Sequence, residues 1–431
     1  MLTTYRIEVR RSPLLSAFPV LIAVDLVVLF GRSRYWIGVW PEASAAAQIV
    51  TLFLGPVLAG VSAWQAGRAS RAGMAETLRG AARPGWHAEA ARLAATLTLG
   101  FLAYAIGCLT AAAVSLRDAG PGFLWPSYLA LGAATLLMFA SAGHLAGRWW
   151  PSAAFTPVVC ALGGFVALLA TPFQFTVLAG PPDLHVRPTP VAVRLLLAGA
   201  LAVLAVTAPP LPSRRTGAAA VSRPRPRHAR AAFGGALACS LVALAAFPFA
   251  GDLRTERSAS AVRPVCDRAA PDTPRVCVWP EHRRYLPELT RMAKRLDGRA
   301  GFRAPDTFHE FGLRRTDLGD RGFDIAEGHV RTAAIAMADQ VITTSIGSCA
   351  PPPRERRAWQ ALDNIHLWLE YRAMGQDPDV ADAGLGMAGV AGAQRTASRA
   401  VRTSQAEQRA WAARERGHLR EKEWCEPDAN G

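Results

Sequence analysis

In the segment DNIHLWLE, Asp363, His366 and Glu370 are spaced three and four residues apart. On a helix that spacing puts all three on one face, where they could seat a metal ion. The plainer expectation is a solvated polar face opposite Trp359, Leu362, Ile365 and Leu369. FHEF sets His309 beside Glu310, but no HExxH occurs, and neither does GxSxG, so zinc-peptidase and serine-hydrolase signatures are both missing. Lys294 and Lys422 are the only lysines, and no Gly-Lys-Ser or Gly-Lys-Thr exists. The chain therefore has no P-loop and is not itself an ATPase of that kind. We expect no enzyme activity, no cofactor and no metal.

Two further ionisable residues fall inside apolar stretches. Asp25 is an intramembrane carboxylate candidate, either a substrate contact or proton site or a bond to a neighbouring helix. His144 is expected to pack with one hydrogen bond. Arg194, near the end of its apolar run, has the reach to snorkel toward water.

Seven cysteines divide by context. Cys108, Cys160 and Cys239 lie in apolar runs, where a thiol is a small apolar side chain. Cys266, Cys277, Cys349 and Cys425 all lie in the polar C-terminal part, an even number that points to disulfides in an exported domain. Of the three possible pairings we favour Cys266–Cys277, which closes the short Pro-containing loop CDRAAPDTPRVC, with Cys349–Cys425 by elimination. No CxxC supports metal binding instead.

The elements that must carry these residues are membrane helices. The 431-residue chain is 51% hydrophobic with a net charge of +15. Residues 1–251 hold 20 Arg and Lys against 7 Asp and Glu, and residues 252–431 hold 28 against 26. The charge excess thus sits between apolar runs, the mark of membrane topology rather than of a nucleic-acid surface. A spanning helix needs ~20 apolar residues. Seven runs qualify, at 13–30, 45–66, 93–116, 127–147, 152–173, 190–211 and 232–250. A cleaved signal peptide is not expected, since more runs follow at once. With the N-terminus in the cytoplasm, inside segments hold 15 arginines and outside segments before residue 252 hold 5. The positive-inside rule favours that orientation, in a multi-pass protein of the plasma membrane whose tail is extracytoplasmic.

The segment RASRAGMAETLRGAARPGWHAEAAR then becomes a cytoplasmic loop between the second and third spans. Met74, Leu78 and Ala81 fall at helical spacing, Arg71, Arg79 and Arg83 lie largely elsewhere, and Gly73 and Pro84 bracket the segment, so a short amphipathic helix is expected. Trp86 suits the interface where the chain re-enters the bilayer. At the N-terminus, Leu2, Tyr5 and Val9 share one face, with Arg6 and Arg10 on another and a break at Pro13. Such a helix lies in the headgroup layer.

This order of parts resembles the permease subunits of ABC-2 type transporters, in particular permease-like proteins of actinobacteria. YRIEVRRSP corresponds to their elbow helix, WQAGRASRAGMAETLRGAARPGW to their coupling loop, and TPFQFTVLAGPPDLHVRPTP (171–190) to their partial re-entrant segment. The resemblance covers residues 1–211. It implies a dimer with itself or a second permease, surrounded by lipid, and a separate cytoplasmic ATPase docked on the coupling helix through Arg71, Met74, Leu78, Arg79 and Arg83.

The expected fold is thus an α-helical polytopic membrane protein, a six-span ABC-2-like core plus a seventh span, with an α-rich (α+β) extracytoplasmic domain. Its parts are an elbow (1–12), a six-span domain (13–211), a basic cytoplasmic linker PSRRTGAAAVSRPRPRHAR within 212–231, a seventh span (232–250) and the exported domain (251–431). RVCVWPEHRRYLPELT looks like the start of the domain that follows the spans in some actinobacterial permease-like proteins. Within it, RVCVW reads as a strand, 281–297, 331–346 and 355–374 as helices, 393–423 as a long solvated helix, and 302–330 as the place for short extended pieces. The leading expectation is a transporter membrane subunit that exports a small molecule or peptide. Its rivals are a polytopic anchor for an exported sensing or immunity domain, and a membrane-bound hydrolase acting through the tail.

Overall fold

The computed structural model describes residues 2–31, 35–74, 85–170, 175–209, 227–258, 262–298, 300–314, 322–326, 328–349, 355–375, 391–420 and 425–426. The chain divides into two compact units, one of residues 1–180 and 184–255, the other of residues 181–183 and 256–431.

The first unit is helical. Helix α1 (Leu2–Arg10) ends just before Pro13, which opens α2 (Pro13–Gly31), since proline suits a first turn whose N–H groups have no partner. α3 (Trp40–Ile49) runs through Val50, itself in helical conformation, into α4 (Thr51–Arg71). α5 (Trp86–Ser115), α6 (Pro126–Trp149), α7 (Phe155–Ala170), α8 (Pro188–Thr207) and α9 (Arg227–Ala246) follow. Five helices are long and apolar enough to cross a bilayer: 13–31, 40–71, 86–115, 126–149 and 188–207. The runs expected at 152–173 and 232–250 form apolar helices too, but shorter ones, 155–170 and 230–246. Phe155, Leu162, Val166 and Leu169 on α7, and Leu241, Val242 and Leu244 on α9, stay exposed. Outward apolar stripes of that extent belong against lipid or another apolar surface rather than water.

Packing inside this unit relies on missing side chains. A Cβ on Gly143 or Gly147 of α6 would collide with the backbone of Ala59 or Ala63 of α4, so the Gly-x-x-x-Gly pair lets the two helix backbones touch. At residues 176–183, between α7 and α8, the chain is irregular. Its backbone is satisfied by side chains: the fully buried Gln48 donates to the Phe175 carbonyl (3.3 Å) and accepts from the Val177 N–H (2.8 Å), and Thr135 donates to the same carbonyl (3.2 Å). Non-helical backbone among membrane helices persists only where protein groups replace the missing water in this way.

The second unit is α+β. Strand β3 (Val265–Asp267) pairs antiparallel with β4 (Arg275–Val278), and β5 (Thr307–His309) pairs parallel on its other side. A parallel pair needs a crossover, which α10 (Leu286–Leu296) supplies. Its Leu286, Leu289, Met292, Ala293 and Leu296 are buried at helical spacing. A separate two-stranded ladder, β1 (Leu184–Val186) and β2 (Arg254–Glu256), belongs to the first unit apart from Glu256. α11 (Val330–Ile346), β6 (Ser348–Cys349) and α12 (Arg356–Met374) complete the middle of the tail, and α13 (Ala391–Val401), α14 (Gln405–Arg420) and β7 (Cys425–Glu426) its end.

Two expectations for the tail change. The long helix of 393–423 is two helices, because Ser404 and Glu407 form a reciprocal capping box (Ser404 N–H to Oε2, 2.9 Å; Glu407 N–H to Ser404 Oγ, 3.4 Å) that starts α14 afresh. It is not solvated all round either, since Ala393, Ala397, Ala400, Ala412 and Leu419 sit in the core. The domain start also moves. Residues 251–255 belong to the first unit, and Pro181–Asp183, from the segment between α7 and α8, belong to the second.

Candidate functional site

The loop expected to couple the chain to a partner begins where α4 ends. Gly73 adopts φ +70°, its N–H bonds Ser70, and the Met74 N–H reaches back to the Ala69 carbonyl (3.1 Å). This is a Schellman cap, which only a residue tolerant of the left-handed region closes cheaply. It leaves Met74 53% exposed at the start of the loop. Leu78, Arg79 and Arg83 lie outside the described residues. Arg71 turns inward, with Nη2 donating to the Trp64 carbonyl (2.8 Å) and Nη1 to Ser152 (3.0 Å). Trp86, stacked on His87 at 3.8 Å, opens α5 on the other side of the loop.

Directly beneath both flanks lies a buried ionic network. Glu8 of α1 is bound by Arg68 of α4 (2.8 Å) and Arg92 of α5 (3.4 Å). Arg92 also holds Glu89 (2.9 Å), whose second oxygen meets Nε2 of the fully buried His144 in α6 (3.1 Å). One turn further on, Arg148 of α6 donates to the Ala205 and Val206 carbonyls of α8 (2.6 and 2.9 Å). Gln65 of α4 bridges Ser12 (2.8 Å) and Thr96 of α5 (3.1 Å). Buried charges persist only when paired, and here each carboxylate finds two partners on different helices. Nε2 of His144 is thereby committed to Glu89. Glu8, Arg68, Glu89 and Arg92 were not singled out from sequence. The buried face of α1 is the polar one, through Glu8, while its apolar Leu2 and Ile7 are exposed.

Asp25 of α2 is 2% exposed and faces α5 at Gly107. Arg194 does not snorkel: it is 3% exposed, donates to the Pro190 carbonyl (2.9 Å) and stacks on Phe247 (4.4 Å).

In the tail, Cys266 and Cys277 occupy opposed positions of the β3–β4 ladder and form a disulfide. Cys349 stands opposite Cys425 in the antiparallel β6–β7 pair. The Asp363–His366–Glu370 face does not converge: Asp363 is exposed, while Glu370 is buried and held by Arg331 (2.5 Å). Glu370 is therefore not part of a solvated face, and Trp359, expected opposite it, is 40% exposed. Among the described residues no group of three or more acidic, His or Cys side chains could hold a metal.

Glu310 has a different partner from any expected. Its Oε1 lies 2.5 Å from Nδ1 of the buried His282, and its Oε2 accepts the Trp279 N–H (2.9 Å). This ties β5 to the turn after β4. Asp324 and Glu310 both lie close enough to Asp183 to repel it, and His282 offsets part of the cost at Asp183 and at Asp324. Burial first, and then these carboxylates, push Asp183 up to about 6; burial also raises Asp324.

Residues 276–421 match the model of a family described as a domain of unknown function (DUF7224), from β4 to the last turns of α14 and beyond. Neither a curated protein nor a solved structure matches the chain.

Proposed function

We propose that the chain is the membrane subunit of an ABC-2-like exporter of a small molecule or peptide, driven by a separate cytoplasmic ATPase. The observation that carries this reading is the double tie of Glu8 to Arg68 and Arg92. Those arginines belong to the last turn of the helix before the loop and the second turn of the helix after it. A push on the loop is therefore felt at once by the elbow helix and, through Glu89 and His144, by α6. A loop that served only to fix topology would have no use for such a linkage.

In this reading the shorter apolar helices α7 and α9 also cross the bilayer, giving seven crossings, an N-terminus in the cytoplasm and the disulfide-bearing tail outside. The arginine bias and the exposed Met74 on the loop support it. A dimer with itself or a second permease would cover part of the apolar outer surface. The rival reading, an anchor for an exported sensing or immunity domain, draws support from the family match, which covers the tail and none of the apolar helices.

The test is the Met74→Asp, Leu78→Asp double variant of the full-length chain. It keeps every arginine, so insertion should be unchanged. Two carboxylates in an apolar partner groove cost several kcal/mol, roughly 2–7 for each unpaired polar group. Co-purification of an ATPase and stimulation of its turnover should both fall. Retention of both by a normally inserted variant would reduce the loop to a topology signal and favour the anchor.

A further inference from the structure

We propose that Asp25 is a proton-binding site within the apolar helices, its carboxyl held as the neutral acid in the notch left by Gly107. On α2, Asp25 is the only ionisable residue between Pro13 and Gly31. The side chain is turned away from the outer surface and is 2% exposed. Neither carboxyl oxygen has a hydrogen-bond partner among the described residues. A Cβ on Gly107 would stand 2.5 Å from Oδ2 and 2.8 Å from Oδ1, so α5 accommodates the carboxyl by having no side chain there.

The surroundings decide what the site takes. Tyr104 and Cys108, the titratable groups beside it on α5, are hydrogen-bonded to each other, and the Tyr104 hydroxyl also donates to the Leu129 carbonyl (3.4 Å). His87, Glu89 and Arg92 belong to the opposite end of α5, Arg92 about 22 Å along the axis from Gly107 at 1.5 Å per residue. Glu42 of α3 and Arg68 and Arg71 of α4 make no bond to Asp25. Among the described residues an ionised carboxylate so placed has neither counter-ion nor donor, an arrangement proteins avoid by neutralising the group. A hard metal cation needs several oxygen ligands, and among the described residues no second carboxylate joins Asp25 in a group that could hold one. A proton needs one. This inference concerns a single side chain and stands or falls independently of the transporter reading.

The experiment uses the purified full-length protein in lipid nanodiscs and N,N′-dicyclohexylcarbodiimide, an apolar reagent that attacks protonated carboxyls. At neutral pH the adduct should form on the peptide containing Asp25, fall with alkaline pH, and be absent in Asp25→Asn. As a second readout, the infrared carboxylic-acid C=O band of the wild type at neutral pH should lose one component in Asp25→Asn, and that variant should melt no lower than the wild type. If the difference spectrum shows a carboxylate band instead, the group is ionised and the proposal is wrong. Protection from the reagent by sodium or potassium, at constant pH, would equally overturn it in favour of a metal cation.

Discussion

Arg92 of α5 holds two carboxylates at once, Glu8 of α1 at 3.4 Å and Glu89 of its own first turn at 2.9 Å. Arg92 is 6% exposed and Glu8 7%, so neither charge has water to fall back on. Glu8→Gln should therefore lower the stability of the helical unit by ~3 kcal/mol, the cost of leaving one partner of a buried pair uncompensated. Glu8→Gln with Arg92→Gln should cost less than the sum of the single changes. A double-mutant cycle on thermal melting in detergent measures the difference, and strict additivity would show that the contact carries no coupling.

Gly143→Ala and Gly147→Ala each place a methyl group against the backbone of α4, at Ala59 and Ala63. Each should destabilise by about 1–3 kcal/mol through overpacking. Gly163→Ala and Gly199→Ala, where an added Cβ meets nothing within 4 Å, are the controls and should be neutral or slightly stabilising. Melting temperatures of the four variants decide.

Cys349 and Cys425 are register partners in the β6–β7 backbone ladder, as Cys266 and Cys277 are in β3–β4. Peptide mapping without reductant should recover two bridges from membrane-purified protein. Removing the first, as Cys266→Ser with Cys277→Ser, should cost the tail about 3 kcal/mol, the loop-closure value for a short loop. Free alkylation of Cys349 and Cys425 would leave the tail with one bridge.

Asp183 has its folded-state value raised from 3.8 to about 6, so the folded tail binds this proton more tightly than the unfolded chain does. The stabilisation it brings is present below about 4 and is lost as pH rises through 6. Hydrogen exchange at Val276 and Val278 in the full-length protein, corrected for intrinsic rates, should show protection falling across that window. Asp183→Asn should flatten the fall and protect better at pH 7, and Asp324→Asn should act in the same direction. A wild-type profile flat across the window would dissociate the cluster from tail stability.

Orientation is tested by fusions at residue 431. Alkaline phosphatase should be active there and a fluorescent protein dark. The reverse pattern would remove the odd number of crossings and the external tail together.

The apolar runs were legible because a bilayer demands ~20 consecutive apolar residues, a requirement written locally in the chain. The Cys266–Cys277 bridge was legible for the same reason, being a short loop. Glu8 was not, because its partners lie 60 and 84 residues away and a single glutamate in a basic segment looks like surface. Glu310 drew notice beside His309, yet its partner is His282, brought to it by the parallel β4–β5 register. The Ser404-x-x-Glu407 cap was in plain view, but the charge pattern around it concealed the alanine face that α13 and α14 bury.

Pro181–Asp183 lie in the connection between two apolar helices and yet count with the tail, where the Asp183 carbonyl accepts the Arg257 N–H (2.6 Å) and Arg257 in turn binds Glu281 (2.7 Å). The backbone therefore passes between the units three times, at 180/181, 183/184 and 255/256, and not once. Surgery on this protein has to respect that seam. A chain cut at residue 251 loses the tail and also strips Asp183 of its donor and of the neighbours that surround it, leaving a raw edge inside the part that was kept. Activity lost on such a cut would report the exposure of residues 181–183 as well as the loss of the tail. A cleaner excision keeps 181–183 covered, by replacing single tail residues such as His282 while the whole chain stays in place.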